Sequence, residues 1–298
     1  MNLHSYIESN KRKTIFVMAL FVALVAFVGY IFGEAQGGYG VSYLVLALLF
    51  SSISSLGSYF YGDKLVLAIN GARPAEKNRD FDFYTVTENL CLASGLPLPK
   101  LYVIESPAIN AFATGRDPQH AVVCATRGLL ERLDRSDIEG VIAHELSHVK
   151  NFDIRLMLIV SVLVGTVAFL ADFFMRSLWW GSRSRNDRGK GNSLILVLSI
   201  VVALIAPLIA TLIQLAVSRR REYLADASGV LLTRNPKGLA DALEKISADK
   251  TVLQTASTGT AHLFIANPFK GKSMGSWFTK LFNTHPPIEE RIRILRSM

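Results

Sequence analysis

Residues 136–153 read SDIEGVIAHELSHVKNFD, and this stretch decides what kind of domain the chain builds. Ser136 followed by Glu139 has the form of a capping box: the hydroxyl takes an orphan N–H and the carboxylate reaches back. A helix is therefore expected from about residue 137 to 150. On it His144 and His148 stand four residues apart, one above the other on one face. Two neutral imidazoles so placed can share one Zn²⁺ at about 2.0–2.1 Å. Glu145 is rotated about 100° from His144. It lies beside such a metal without filling a ligand position, which suits a general base. H-E-x-x-H on a helix is the pattern of zinc hydrolases.

A catalytic zinc takes three protein ligands, and two histidines leave it one short. The stretch REYLAD, residues 221–226, offers Glu222 as the third. Asp226 lies on the same helical face, placed to accept the outer N–H of a ligating histidine and fix its tautomer. No histidine follows at the spacing of a three-histidine site, so a His₂Glu set is preferred. Asn151 and Asp153 read as residues that cap and brace the zinc helix.

The rest of the chain is apolar for its length. Of 298 residues, 50% are hydrophobic and 19% charged, with mean hydropathy +0.32. Soluble domains carry about 25% charged residues. Disorder and a disulfide-stapled miniprotein are excluded. Cys91 and Cys124 lack C-x-x-C spacing and read as buried small apolar residues. Residues 14–33 and 41–60 carry no charge, and each has the ~20 residues that a span needs. Residues 156–174 and 194–217 form a second apolar pair. An uncleaved anchor is expected at 14–33, because the run outlasts a signal h-region and no small-residue cleavage site follows.

The net charge is +8 and the pI about 9.5. The basic residues flank apolar runs, as in Lys11, Arg12 and Lys13, or Arg219, Arg220 and Arg221. That is a membrane-flanking pattern. No basic stripe interleaved with aromatics appears, so no nucleic-acid partner is expected. The N-terminus and the region beyond residue 60, with Lys64, Arg73, Lys77 and Arg79, then face the cytoplasm. The stretch 175–192 holds Arg176, Arg183, Arg185, Arg188 and Lys190. Two full crossings would put it outside, against the rule, so 156–174 and 194–217 either form a re-entrant hairpin or cross regardless. Either way His148 and Glu222 emerge on one side, as a shared metal requires.

Elsewhere, residues 80–94 read as a helix stopped by Gly95 and Pro97. Residues 101–105, 110–113 and 121–125 read as short strands. Residues 218–232 read as a helix, and Asn235 with Pro236 starts another through Ser247. Pro286 and Pro287 start a last helix through Arg296. Four units result: a transmembrane hairpin (1–60), the first half of a cytoplasmic domain with the H-E-x-x-H helix (61–155), the second apolar pair (156–217), and a second half with the third ligand (218–298).

Four pieces carry a family resemblance: NAFATG (110–115), HELSHVKNFD (144–153), REYLAD (221–226), and THPP (284–287) with Arg291. In that order, with two apolar segments before the zinc motif and two after, the chain resembles the HtpX family of bacterial membrane zinc metalloproteases, relatives of the CaaX prenyl proteases. The resemblance implies a mainly α fold with a small β-sheet: a multi-pass membrane protein with a zincin-like (gluzincin) metalloprotease domain. It implies one Zn²⁺ per chain on His144, His148 and Glu222, with Glu145 as base and His285 stabilising the oxyanion. Asn110, Ala111, Phe112 and Ala113 resemble an edge strand that holds substrate as an added strand, and Arg291 is placed with them. Implied partners are the lipid bilayer of the bacterial inner membrane and damaged or unfolded polypeptides, cleaved in a stress response. Alternatives are a metal-binding membrane protein without hydrolysis, and a CaaX-type processing protease, whose relatives have more spans.

Overall fold

The structure, a computed structural model, describes residues 3–35, 38–181, 219–257, 259–269 and 286–298. Helices α1 (Leu3–Ala35) and α2 (Gly40–Ile69) pack side by side as a hairpin. Ile7–Glu34 and Gly40–Ile69 are each long and apolar enough to cross a membrane. Ile15, Phe16, Phe27, Leu46, Ile53 and Leu56 face outward, while α2 buries Ser51, Ser55, Ser58 and Gly62. Ser51 and Ser58 donate to carbonyls of their own helix. An apolar exterior over a seam of small residues is the reverse of a water-facing surface, and it suits lipid.

The third apolar segment lies in a longer helix, α6 (Asp153–Gly181), which continues past residue 174 into the basic stretch. Its first half is enclosed by protein. Leu156, Ile159, Val160, Leu163 and Val167 meet Val17 and Phe21 of α1. Met157 and Leu158 meet Phe112 and Cys124 of the sheet on another side. The fourth apolar segment, 194–217, lies outside the described residues.

Four strands form one sheet: β1 (Ala72–Pro74), β2 (Lys100–Ile104), β3 (Ala111–Thr114) and β4 (Val122–Thr126), in the order β1-β2-β4-β3. β2 and β4 are parallel, with Leu101 opposite Val123; the other pairs are antiparallel, with Ala111 opposite Ala125. Successive side chains alternate between two cores. Leu101, Val103, Ala111, Ala113, Val123 and Ala125 pack under the helical domain. Ile104, Phe112, Val122 and Cys124 face α2 and α6. A sheet covered on both faces explains why β4 reads as an apolar run. Cys91 and Cys124 fall in separate cores, buried as free thiols.

Helix α3 (Phe81–Ser94) ends at Gly95, whose φ of 70° closes the left-handed cap. A short α4 (Arg127–Arg132) follows β4, capped by the Thr126 hydroxyl. Next come α5 (Arg135–Lys150), α7 (Arg219–Thr233), α8 (Pro236–Ala248) and α9 (Ile288–Arg296). The cap of α5 corrects the sequence reading. Its N-cap is Asp134 and its capping box pairs Asp134 with Asp137, so the helix starts two residues early. Carboxylates suit the positive helix end, and Lys245 Nζ joins both at 2.7 Å. Ser136 instead accepts from Asn235 Nδ2 at 2.8 Å, tying α5 to the start of α8.

Candidate metal centre

Helices α5 and α7 cross at His144. Glu222, Asp226 and Gly229 form one stripe of α7, spaced four and three apart. A Cβ at Gly229 would lie 3.2 Å from the backbone nitrogen of His144, so the missing side chain lets α7 lie against α5. That approach carries the Glu222 carboxylate to the histidines. Its Oε1 lies 3.6 Å from His148 Nε2 and its Oε2 3.8 Å from His144 Nε2, while the two Nε2 atoms are 3.2 Å apart.

These three donors fit a divalent cation. Ligands at about 2.0–2.1 Å around a tetrahedral ion stand roughly 3.3 Å from one another. The observed donor atoms all lie within 4.8 Å of one another, on three buried residues. Two imidazole nitrogens facing each other repel unless a proton or a cation lies between them.

The outer nitrogens of both rings are held by carboxylates. His144 Nδ1 is 2.9 Å from Asp226 Oδ1. Arg291 of α9 donates to Asp226 from Nε at 2.8 Å and from a terminal nitrogen at 2.7 Å. The same guanidinium is 3.6 Å from Glu222 Oε2. His148 Nδ1 is 3.1 Å from Asp153 Oδ2. Asp153 reaches back because only Asn151 and Phe152 separate α5 from α6. Phe152 takes φ 58°, a left-handed conformation that costs a β-carbon-bearing residue about 1–2 kcal/mol. Lys11 and Arg155 lie over its ring, 4.9 and 5.0 Å from the centroid.

Electrostatics follow from four buried carboxylates around two imidazoles. Burial lowers the His144 pKa, and the Arg291 charge adds to it, against the pull of Asp226; the neutral, ligating form is favoured. Burial would lower His148 too, but Asp153, Glu222 and Glu145 outweigh it and raise the ring to about 9. Burial likewise opposes ionisation of Asp226, yet Arg291 and His144 hold it at about 2. Glu145, 2% exposed, is pushed by burial to about 7, with the charge of Glu222 contributing; the Ala113 N–H that its carboxylate accepts pulls the other way. A carboxylate poised near neutrality suits proton transfer.

The structure brings His144, Glu145, His148, Glu222, Asp226, Asp153 and Asn151 together. Arg291 differs from its expected place with the substrate strand: it is 1% exposed, behind the histidines, and its donors serve Asp226. The strand also differs at its first half. β3 is an edge strand, but the outer side of Asn110 and Ala111 is occupied: Ala111 O accepts from Ile265 N at 3.0 Å, and Asn110 Nδ2 donates to Ala266 O at 2.9 Å. The Ala113 end meets Glu145. His285 lies outside the described residues. Sequence reasoning missed Asn10, whose amide reaches Asp153, and Arg221, whose guanidinium is 3.7 Å from Asp153 Oδ1. Nothing local marks Asn10; the signal for Arg221 is its place at the head of the REYLAD stretch.

A buried His-His-Glu cluster with an adjacent carboxylate of raised pKa, on a helical domain attached to an apolar hairpin, is the constellation of a membrane-associated metallopeptidase. Residues 78–298 match the model of peptidase family M48. Over 99% of its length the chain is 42% identical to a protease HtpX homolog of Ligilactobacillus salivarius, covering all of that protein. It is 45% identical to one of Tropheryma whipplei, again over 99% of its length and 98% of that protein. A crystal structure of S. mikatae Ste24p aligns with TM-score 0.49 at 20% identity, over 99% of this chain and 67% of that one. The chain belongs to peptidase family M48. It is a metalloprotease of that family and acts on polypeptides.

Proposed function

We propose that the chain is a zinc endopeptidase of the bacterial inner membrane that cleaves damaged or misfolded membrane proteins, its N-terminus and active site facing the cytoplasm. His144, His148 and Glu222 would hold the ion, which when bound would supply Lewis-acid polarisation of a peptide carbonyl and a water of pKa about 7. Glu145 takes the proton of the attacking water and returns it to the leaving amine; its raised pKa lets it do both. The Ala113 N–H holds the Glu145 carboxylate in place. Asp226 and Asp153 fix the two imidazoles with Nδ1 protonated, leaving each Nε2 lone pair for the metal. Arg291 positions Asp226. His285 stabilises the oxyanion, and the Ala113 end of β3 receives the substrate backbone.

The observation that carries this reading is the Glu222 carboxylate at 3.6 and 3.8 Å from two Nε2 atoms that face each other. The test is metal content together with casein cleavage for wild type and Glu145→Gln, both in detergent. One zinc per chain is expected in each. Cleavage should fall by about 10²–10⁴-fold in the variant, the usual worth of a general base. Equal cleavage by the two proteins would refute the enzymatic role of Glu145. Wild type without zinc would refute the metal site.

A further inference from the structure

We infer that Asn10 is a positioning residue for the metal centre: through its side-chain amide the first membrane helix holds Asp153, and thereby the ring of His148. The inference rests on the reading of His148 as a metal ligand. Asn10 stands one turn before the uncharged run that begins at Thr14, and it is 2% exposed. Its Nδ2 donates to Asp153 Oδ1 at 2.8 Å and to the Asn151 carbonyl at 3.0 Å. An amide nitrogen has two hydrogens, and both are used.

The two acceptors are informative. Asn151 is the C-cap of α5, so one bond tethers the end of the helix that carries both histidines. Asp153 directs its other oxygen, Oδ2, to His148 Nδ1 at 3.1 Å. Held from both sides, the carboxylate has a fixed plane. The ring it supports then presents Nε2 toward Glu222 and His144.

Further along α1 the α1–α6 contact becomes apolar, Val17 and Phe21 against Leu156, Ile159 and Val160. A buried amide in such a seam stabilises nothing unless its hydrogen bonds are made. The contact joins residues 141 and 143 positions apart, so no local turn requires it. Packing alone would be served by another apolar residue here; the amide is needed where a carboxylate must be oriented.

The test uses the full chain in detergent. Zinc affinity is measured by competition with a chromophoric chelator, with thermal unfolding of the metal-free protein alongside. Asn10→Ala should weaken zinc binding about 10-fold, the low end for partners that orient ligands. Val17→Ala loosens the same helix seam without touching Asp153. It should lower the unfolding temperature and leave zinc affinity within about twofold, since it changes no ligand support. Should Asn10→Ala fail to fold, Asn10→Ser keeps one donor and should give a smaller loss of affinity. Unchanged affinity in the folded Asn10 variant, or an equal loss in Val17→Ala, would overturn the inference. Absence of zinc from wild type would overturn the parent reading, and this one with it.

Discussion

Glu145→Gln should stabilise the metal-free fold as well as slow cleavage, and the size of the stabilisation follows from burial. The carboxyl is raised from 4.5 to about 7, chiefly by desolvation. At about 1.36 kcal/mol per pH unit, the folded state is disfavoured by about 3 kcal/mol wherever the group is ionised in both states. The sign matters. Below about pH 4.5 both states hold the proton and nothing is lost. Between pH 4.5 and 7 the unfolded chain ionises first and stability falls. At pH 8 the full penalty is present. Glutamine carries no charge, and its amide oxygen can still accept the Ala113 N–H. The metal-free variant should therefore exceed wild type by up to about 3 kcal/mol at pH 8, and match it near pH 4.5. At about 2–4 °C per kcal/mol for large domains, the unfolding temperature rises by on the order of 6–12 °C. Thermal unfolding in detergent, chelated and scanned from pH 4.5 to 8, measures this. No gain at pH 8, or a gain that persists unchanged at pH 4.5, would refute the argument. Zinc should narrow the gap, because a cation beside the carboxylate offsets its charge. A residue kept at a cost to the fold marks a site where function outweighs stability.

Gly140→Ala should loosen the crossing of α5 and α8: the added Cβ would lie 2.6 Å from the backbone nitrogen of Leu239. Backbone cannot rotate away, so a loss of about 1–3 kcal/mol is expected, read as a lower unfolding temperature with zinc stoichiometry retained. Asp249→Asn should act only above acid pH. Burial alone would raise this carboxyl, but the N–H groups of Ile109 and Thr251, the Thr251 hydroxyl and Arg132 hold it at about 2. Its contribution is complete above about pH 4, the unfolded value, and is lost as pH falls toward 2. Denaturant titrations should show the variant less stable at pH 7 and the two proteins converging near pH 2.

The metal centre was legible where its residues share one helix. His144 with His148, and Glu222 with Asp226, are each four apart, and helical geometry alone puts each pair on one face. Arg291 and Asn10 were not legible in the same way. Their meaning depends on Asp226 and Asp153, 65 and 143 residues away, and no local pattern encodes that. The cap of α5 was misplaced because Asp134 serves as well as Ser136, and Lys245, which favours it, arrives only on folding. β1 and α4 are too short to show a period. For residues 156–174, sequence alone does not separate a helix enclosed by protein from one enclosed by lipid, because both are apolar all round; α1 and the sheet cover the first half.

Arg291 stands on the last helix, and this has a consequence for how the protein is made. Synthesis delivers α5 and α7 well before α9. Until the final helix docks, Glu222 and Asp226 bring two carboxylates to a dry crossing with no guanidinium between them, and unpaired buried charge costs several kcal/mol. A chain lacking α9 would own His144, His148 and Glu222 yet lack the guanidinium that pairs with Asp226 and Glu222. Docking of α9 is thereby the step that completes the charge balance of the metal centre.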